Sequence, residues 1–303
     1  MFETGAESFA KAVPWLAAGL SAASAGVAYF GFRRLRDTTL AAPAVWGVIA
    51  AAGVGGVELL VALGLAGDGT LALSLWRYAA AVGTCMPIAA VLGAKRPQDR
   101  GWQWVVVALW MVLLVPAAQA ALAPAGHRLE LFAAWKLLLA ALMAMGLLNY
   151  LPTRHWLAAL LATAGQACLV WEYLFDAADV RQAVRVALGQ ALLLLALAVA
   201  AAGSRRRRTP RSSPQPLAGA MEPLNYRWLN FRDDWGAFWA LRVMQRINQS
   251  AELGDWPVRL DWSGFQPLDK GEIAAASPPI LDQQRLAKIE QTLDAVLRRF
   301  ERG

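Results

Sequence analysis

The chain has 303 residues, 57% of them apolar, 14 tryptophans and a formal net charge of +7. A mean hydropathy of +0.38 is too high for one soluble globular domain, and the apolar residues are concentrated in 1–203. The basic excess does not point to nucleic acid. Much of it is Arg205, Arg206, Arg207, Arg208 and Arg211, directly after the last apolar run, where retention of a loop on the cytoplasmic side accounts for it.

A bilayer core needs about 20 apolar residues in a helix. Taken in chain order, segments of that kind lie at 12–32, 43–66, 71–93, 102–123, 131–149, 156–174 and 183–203. The first is a retained helix and not a signal peptide. Glu3, Glu7 and Lys11 make a poor basic leader, and Arg33, Arg34 and Arg36 follow the segment instead of a cleavage site. Turn residues separate the later spans: Gly67-Asp68-Gly69, Pro97-Gln98-Asp99, Pro124-Ala125-Gly126 and Leu151-Pro152-Thr153. Alternate connections carry twelve basic residues against four on the other side, so the N-terminus is expected outside and the C-terminus in the cytoplasm. The expected fold is therefore an all-α polytopic membrane protein, a seven-transmembrane-helix bundle with a small cytoplasmic α+β tail domain. It belongs in a plasma membrane or a bacterial inner membrane, with membrane lipids as partners.

Trp102, Trp104, Trp156 and Trp171 fall at span ends, where amphipathic rings anchor at the interface. Small residues recur every fourth position at Ala18, Ala22 and Gly26, and again at Gly47, Ala51 and Gly55, which predicts close approach of the first two helices. No internal repeat is visible, and Gly53-Val54-Gly55-Gly56 follows no strand, so it is not a phosphate loop.

Ionisable groups inside spans need a reason to be there. Glu58, Arg77, Lys136 and Glu172 all fall roughly 3 to 12 Å below the outer edge, at 1.5 Å rise per residue. Two acids balance two bases. The expected arrangement is a charged layer in which the two acids meet the two bases, with Glu58–Arg77 and Lys136–Glu172 as one pairing; which acid meets which base depends on helix neighbours that the sequence does not give. Gln119 and Gln190 complete the layer at similar depth. It is either a dry ion network or an outward-facing pocket for a solute, lipid or headgroup. Arg77 and Lys136 also have stems long enough to snorkel to the headgroups, which would make the layer ordinary anchoring.

Other chemistries lack their residues. His127 and His155 lie in connections on opposite sides of the expected topology, so they cannot jointly hold a haem or a metal. Cys85 and Cys168 both sit in apolar segments and give no disulfide framework. No lysine occurs in the seventh span to carry a retinal. Neither a catalytic set, a metal site nor a cofactor is expected.

After the last span, 204–220 combines five arginines with Pro210, Pro214 and Pro216 and reads as a basic linker, with Arg205–Arg208 and Arg211 placed to meet anionic headgroups. The tail domain, 221–303, is rich in tryptophan. An amphipathic helix is expected at 234–249, preceded by Tyr226, Trp228 and Phe231; then a short edge strand across 256–262; then a second helix over about 282–300. Two helices and one or two strands make a marginal core alone. Trp235, Phe238, Trp239, Trp256 and Trp262 are accordingly candidates for docking on the membrane domain or on a protein partner. Asp233, Asp234 and Asp261 read as capping and solubility residues. Two strings, NYLPTR at 149–154 and FRDDWGAFWALR at 231–242, look specific without indicating a chemistry.

Three functions follow from this reading. An accessory or scaffold protein docking through its tail comes first, a transporter or ligand-binding protein using the outer charged layer second, and a membrane enzyme or sensor third. The carrier reading suffers from the lack of a repeat or of a pair of clearly broken helices.

Overall fold

The computed structural model describes residues 2–67, 69–123, 129–175, 182–205, 216–268 and 283–301, with the backbone alone at 2–11, 205 and 216–220. Nine helices, α1 (Phe2–Leu35), α2 (Ala41–Ala62), α3 (Leu71–Gly83), α4 (Met86–Leu92), α5 (Asp99–Leu113), α6 (Val115–Leu122), α7 (Ala133–Tyr150), α8 (Trp156–Phe175) and α9 (Gln182–Arg205), build the apolar part among the described residues. Six stretches within them are long and apolar enough to cross a membrane: Ala12–Leu35, Ala41–Ala62, Leu71–Leu92, Ala133–Tyr150, Trp156–Phe175 and Gln182–Ser204. The pair α5 and α6, bent by 40°, makes a seventh if counted as one span.

Two spans are interrupted, which the sequence reading did not expect. The α3–α4 span breaks at Thr84–Cys85, just before Pro87, and the α5–α6 span at Leu114, just before Pro116. Proline removes an amide donor and forces a break, and in lipid the displaced polar groups must find partners inside the protein. They do. The Gln166 amide of α8 donates to the Thr84 carbonyl at 2.8 Å, and the Tyr78 hydroxyl donates to the Leu113 carbonyl at 2.8 Å. Both breaks are thus packed and satisfied by neighbouring helices.

Helices α1 and α2 pack closely through small residues. The stripe on α1 is Ala17, Ser21, Ser24 and Ala28, all buried; Ala22 is exposed. Serine serves as well as alanine at such a contact, so the face is rotated from the Ala18–Ala22–Gly26 series expected from Ala and Gly alone. On α2 Gly47 and Gly55 do face α1: a Cβ at Gly55 would stand 2.8 Å from the Ser21 Cβ. Between α8 and α9 the approach is tighter still. A Cβ on Gly165 would meet the Gly189 carbonyl oxygen at 2.8 Å, and one on Gly189 the Gly165 oxygen at 3.0 Å.

Much apolar surface points outward, including Leu60, Leu137, Leu148, Leu188 and Leu195. Only a lipid environment makes that arrangement stable. Trp104, Trp156 and Trp171 are exposed, as anchors should be, whereas Trp102 turns inward and donates its indole N–H to the Ala89 carbonyl at 2.8 Å.

The tail holds α10 (Pro216–Leu253), a hairpin of β1 (Val258–Asp261) and β2 (Gly264–Pro267), α11 (Gln283–Leu297) and a 3-10 turn, Arg298–Phe300. Helix α10 starts inside the stretch expected as linker, with Pro216 at its first position, where a missing N–H costs nothing. It takes in Tyr226, Trp228 and Phe231, then breaks at Gly236 (φ 80°, ψ −178°). The hairpin pairs Val258 with Pro267 and Asp261 with Gly264. Its edge is closed by side chains of α10: Asn248 accepts from the Leu260 N–H and donates to the Leu260 carbonyl, and Asn225 accepts from the Phe265 N–H. Trp228, Ile247, Leu260, Ile289 and Leu293 form the tail's own dry core.

Candidate functional site

Helix α2 presents Glu58 and α3 presents Arg77, both almost fully enclosed. Arg77 Nε donates to Glu58 Oε1 at 2.8 Å and Nη2 to Oε2 at 3.1 Å, a bidentate fork in which a planar guanidinium matches a carboxylate. Beside it is a cavity of about 20 Å³, lined also by Cys168, Glu172, Gln182 and Arg185. That is room for about one water.

Of the expected outer layer, Glu58, Arg77 and Glu172 therefore come together. Gln190 is buried, its amide nitrogen without a hydrogen-bond partner among the described residues, but does not line the cavity. Lys136 is half-buried and Gln119 exposed, and neither reaches it. Arg185, inside α9, lines the cavity in addition. The hydroxyls of Tyr78 and Tyr173 are engaged by backbone carbonyls, that of Tyr173 by Ser74 at 2.8 Å.

The second site joins the two strings singled out by sequence. NYLPTR ends α7 and leads into α8; FRDDWGAFWALR spans the break in α10. At Gly236 the backbone adopts a conformation open essentially to glycine alone, and a Cβ there would collide with the Asn149 side chain. The turn frees the first amides of the helix that restarts beyond it, and Asn149 Oδ1 accepts from the Phe238 N–H at 3.0 Å. Asn149 thus caps a helix of the tail from a helix of the membrane domain.

Around this cap the Tyr150 hydroxyl donates to the Asp234 carbonyl at 3.3 Å, and Arg154 Nη2 lies 2.8 Å from Asp234 Oδ1. Arg232 holds the other acid, with Nη2 2.7 Å from Asp233 Oδ1. Asp233 and Asp234 are consequently junction residues more than simple surface acids. His155 accepts from Arg154 Nε at 3.2 Å. Burial, then the Arg154 charge, pushes the His155 pKa below its usual value; Asp234 and Asp233 pull partly the other way.

Three connections of the membrane domain meet the tail. Trp235 donates its indole N–H to Thr39 Oγ1 at 3.3 Å, Trp239 to the Val91 carbonyl at 2.8 Å, and Trp262 to the Pro152 carbonyl at 3.2 Å. The last residues are stitched in by backbone: the Thr39 N–H donates to the Phe300 carbonyl at 3.0 Å and the Arg96 N–H to the Arg299 carbonyl at 2.8 Å. Phe231, Trp235, Trp239 and Phe300 stack into one aromatic cluster with Leu40, Val91 and Ala94 of the membrane loops. Phe238 joins through its backbone while its ring stays exposed, and Trp256 is buried within the tail. Of the arginines expected at headgroups, Arg205 ends α9, and Arg206, Arg207, Arg208 and Arg211 lie outside the described residues, as does His127. Among the described residues no three His, Cys, Asp or Glu side chains converge as metal ligands.

The chain is a multi-pass integral membrane protein, mostly helical, with a small tail of helices and one hairpin. No protein-family model, no curated protein and no solved structure matches it.

Proposed function

We propose that the protein is an accessory or scaffold protein with seven spans, N-terminus outside and C-terminus cytoplasmic, whose tail is clamped on its own membrane domain as a rigid platform for a partner. The clamp carries this reading. Three loops with their flanking helix ends, at 36–40, 91–99 and 149–154, meet one tail, which supports reading α5–α6 as one crossing with α7 as its return. The basic bias of those loops favours the cytoplasmic side. A tail tied by three indoles, an inter-domain cap and an arginine–aspartate cluster is suited to hold a fixed surface, and the aromatic residues expected for docking are largely spent on the chain itself. The Glu58–Arg77 fork beside a water-sized cavity fits a dry ion network better than a solute pocket.

The test is purification of the full chain from its native membrane in mild detergent, beside a chain lacking 221–303. A stoichiometric protein partner lost with the tail is expected. A monodisperse protein carrying a bound solute and no partner would overturn the scaffold reading. Orientation is read by labelling intact cells with an impermeant maleimide: Leu65→Cys should react and Ser263→Cys should not.

A further inference from the structure

Between α10 and α11, where the tail meets the 93–98 loop, lies an open groove of about 780 Å³. Five cations line it: Lys95 from the membrane loop, Arg242 and Arg246 from α10, and Lys288 and Arg299 from the α11 region. Among the described residues no carboxylate lines it, and none of the five has an ion-pair partner. By contrast, two other cations of the tail are matched: Arg227 with Glu290 and Asp294, Arg232 with Asp233. Like charges that converge without a counter-charge repel one another, and the arrangement is relieved by an anion.

The walls are held in place. The backbone bond from Arg96 to Arg299 and the antiparallel bridge of Thr38 with Glu301 fix the α11 end against the membrane loops. Lys95 Nζ stands 5.8 Å, and Arg242 Cζ 5.1 Å, from the centre of the Trp239 ring, which forms an aromatic floor between them. Burial and the nearby charges of Arg299, Arg242 and Arg246 lower the Lys95 pKa, the response of an ammonium among unscreened cations. A second hollow, lined by Arg96, Pro97, Arg298 and Arg299, continues the basic surface.

We propose that this groove is a binding site for a multiply charged phosphoryl anion. Guanidinium forks and ammonium groups facing one space are the chemistry that recognises phosphate oxygens. A lipid headgroup and a soluble polyphosphate share that chemistry. The lipid source is favoured because Lys95 sits at the end of a span, at headgroup level, and Phe238 and Leu241 are exposed beside Arg242, where acyl chains would lie.

The experiment uses full-length protein in two arms. In the first it is reconstituted in nanodiscs of zwitterionic phosphatidylcholine, with or without phosphatidylinositol phosphate, and bound lipid is counted by native mass spectrometry. In the second, detergent-solubilised protein is titrated with inorganic pyrophosphate. Arg242→Gln with Arg246→Gln should weaken binding about thirtyfold, at about 1 kcal/mol for each well-placed charge. The charge-matched pair Arg227→Gln with Arg259→Gln should bind as the parent does. Retention in the first arm alone identifies a lipid headgroup, and binding in the second arm a soluble phosphoryl ligand; both support the site. No binding in either arm, or equal binding by the Arg242/Arg246 variant when its melting temperature matches the parent's, would overturn it.

Discussion

Replacing Gly236 by alanine tests the junction at its tightest point. Two costs apply. An alanine held at φ 80°, ψ −178° is strained by about 1–3 kcal/mol. Displacing the Asn149 side chain also leaves the Phe238 amide without its acceptor, about 1–3 kcal/mol for a buried donor. These overlap, because relaxation that relieves one reduces the other, so a total of roughly 2–4 kcal/mol is expected. At about 2–4 °C per kcal/mol for a domain of this size, the tryptophan-fluorescence melt of the purified full-length protein should fall by roughly 5–15 °C. Adding Asn149→Ala to Gly236→Ala removes the collision and keeps the backbone strain, so the double variant should lose less than the sum of the singles. Gly26→Ala is the control: no atom lies within 4 Å of the added Cβ, and the melt should stay level or rise slightly. A Gly236→Ala protein melting within about 1 °C of the parent would refute the reasoning.

Glu58→Gln leaves the enclosed Arg77 without its carboxylate and should destabilise by about 3–5 kcal/mol, with part recovered in Glu58→Gln/Arg77→Gln; thermal denaturation of both variants decides, and an unaffected single variant contradicts a buried ion pair. Gly165→Ala should cost about 1–3 kcal/mol by forcing α8 off α9, against no loss if the helices are not in backbone contact. His155 has a folded pKa below its unfolded value, so its contribution is present above the ordinary histidine value near 6.5 and is lost as pH falls from there towards the folded value. A melting series on the parent should decline through that window, and His155→Asn should flatten the decline; parallel curves for the two proteins would remove His155 as its source.

Helix placement was legible because apolar runs, turn residues and basic flanks all bear on the same few boundaries. The expected spans and the long apolar helices differ by at most a few residues at their ends, as 71–93 against Leu71–Leu92 illustrates. The breaks at Pro87 and Pro116 were not foreseen, because proline in an apolar run is tolerated when a neighbour such as Gln166 or Tyr78 takes the stranded carbonyl, and that neighbour is distant in sequence. That Glu58 and Arg77 share a depth followed from the spans, but their pairing did not, because it depends on α2 and α3 being neighbours. Depth does not specify which way a side chain turns, so Lys136 and Gln119 were included and Arg185 was missed. The junction was half visible: both strings stood out, yet nothing local in NYLPTR reveals that Asn149 caps a helix beginning near residue 237. Gly236, the one glycine inside FRDDWGAFWALR, was the local signal that a helix could break there and need a cap.

The most direct test of the docked tail is a photo-crosslink made in native membranes. A benzophenone amino acid replaces Trp262, whose indole lies 3.2 Å from the Pro152 carbonyl, and the irradiated protein is digested and mapped by mass spectrometry. An intramolecular crosslink to the 149–154 segment is predicted. Crosslinks found only to lipid or to other proteins would contradict the clamp.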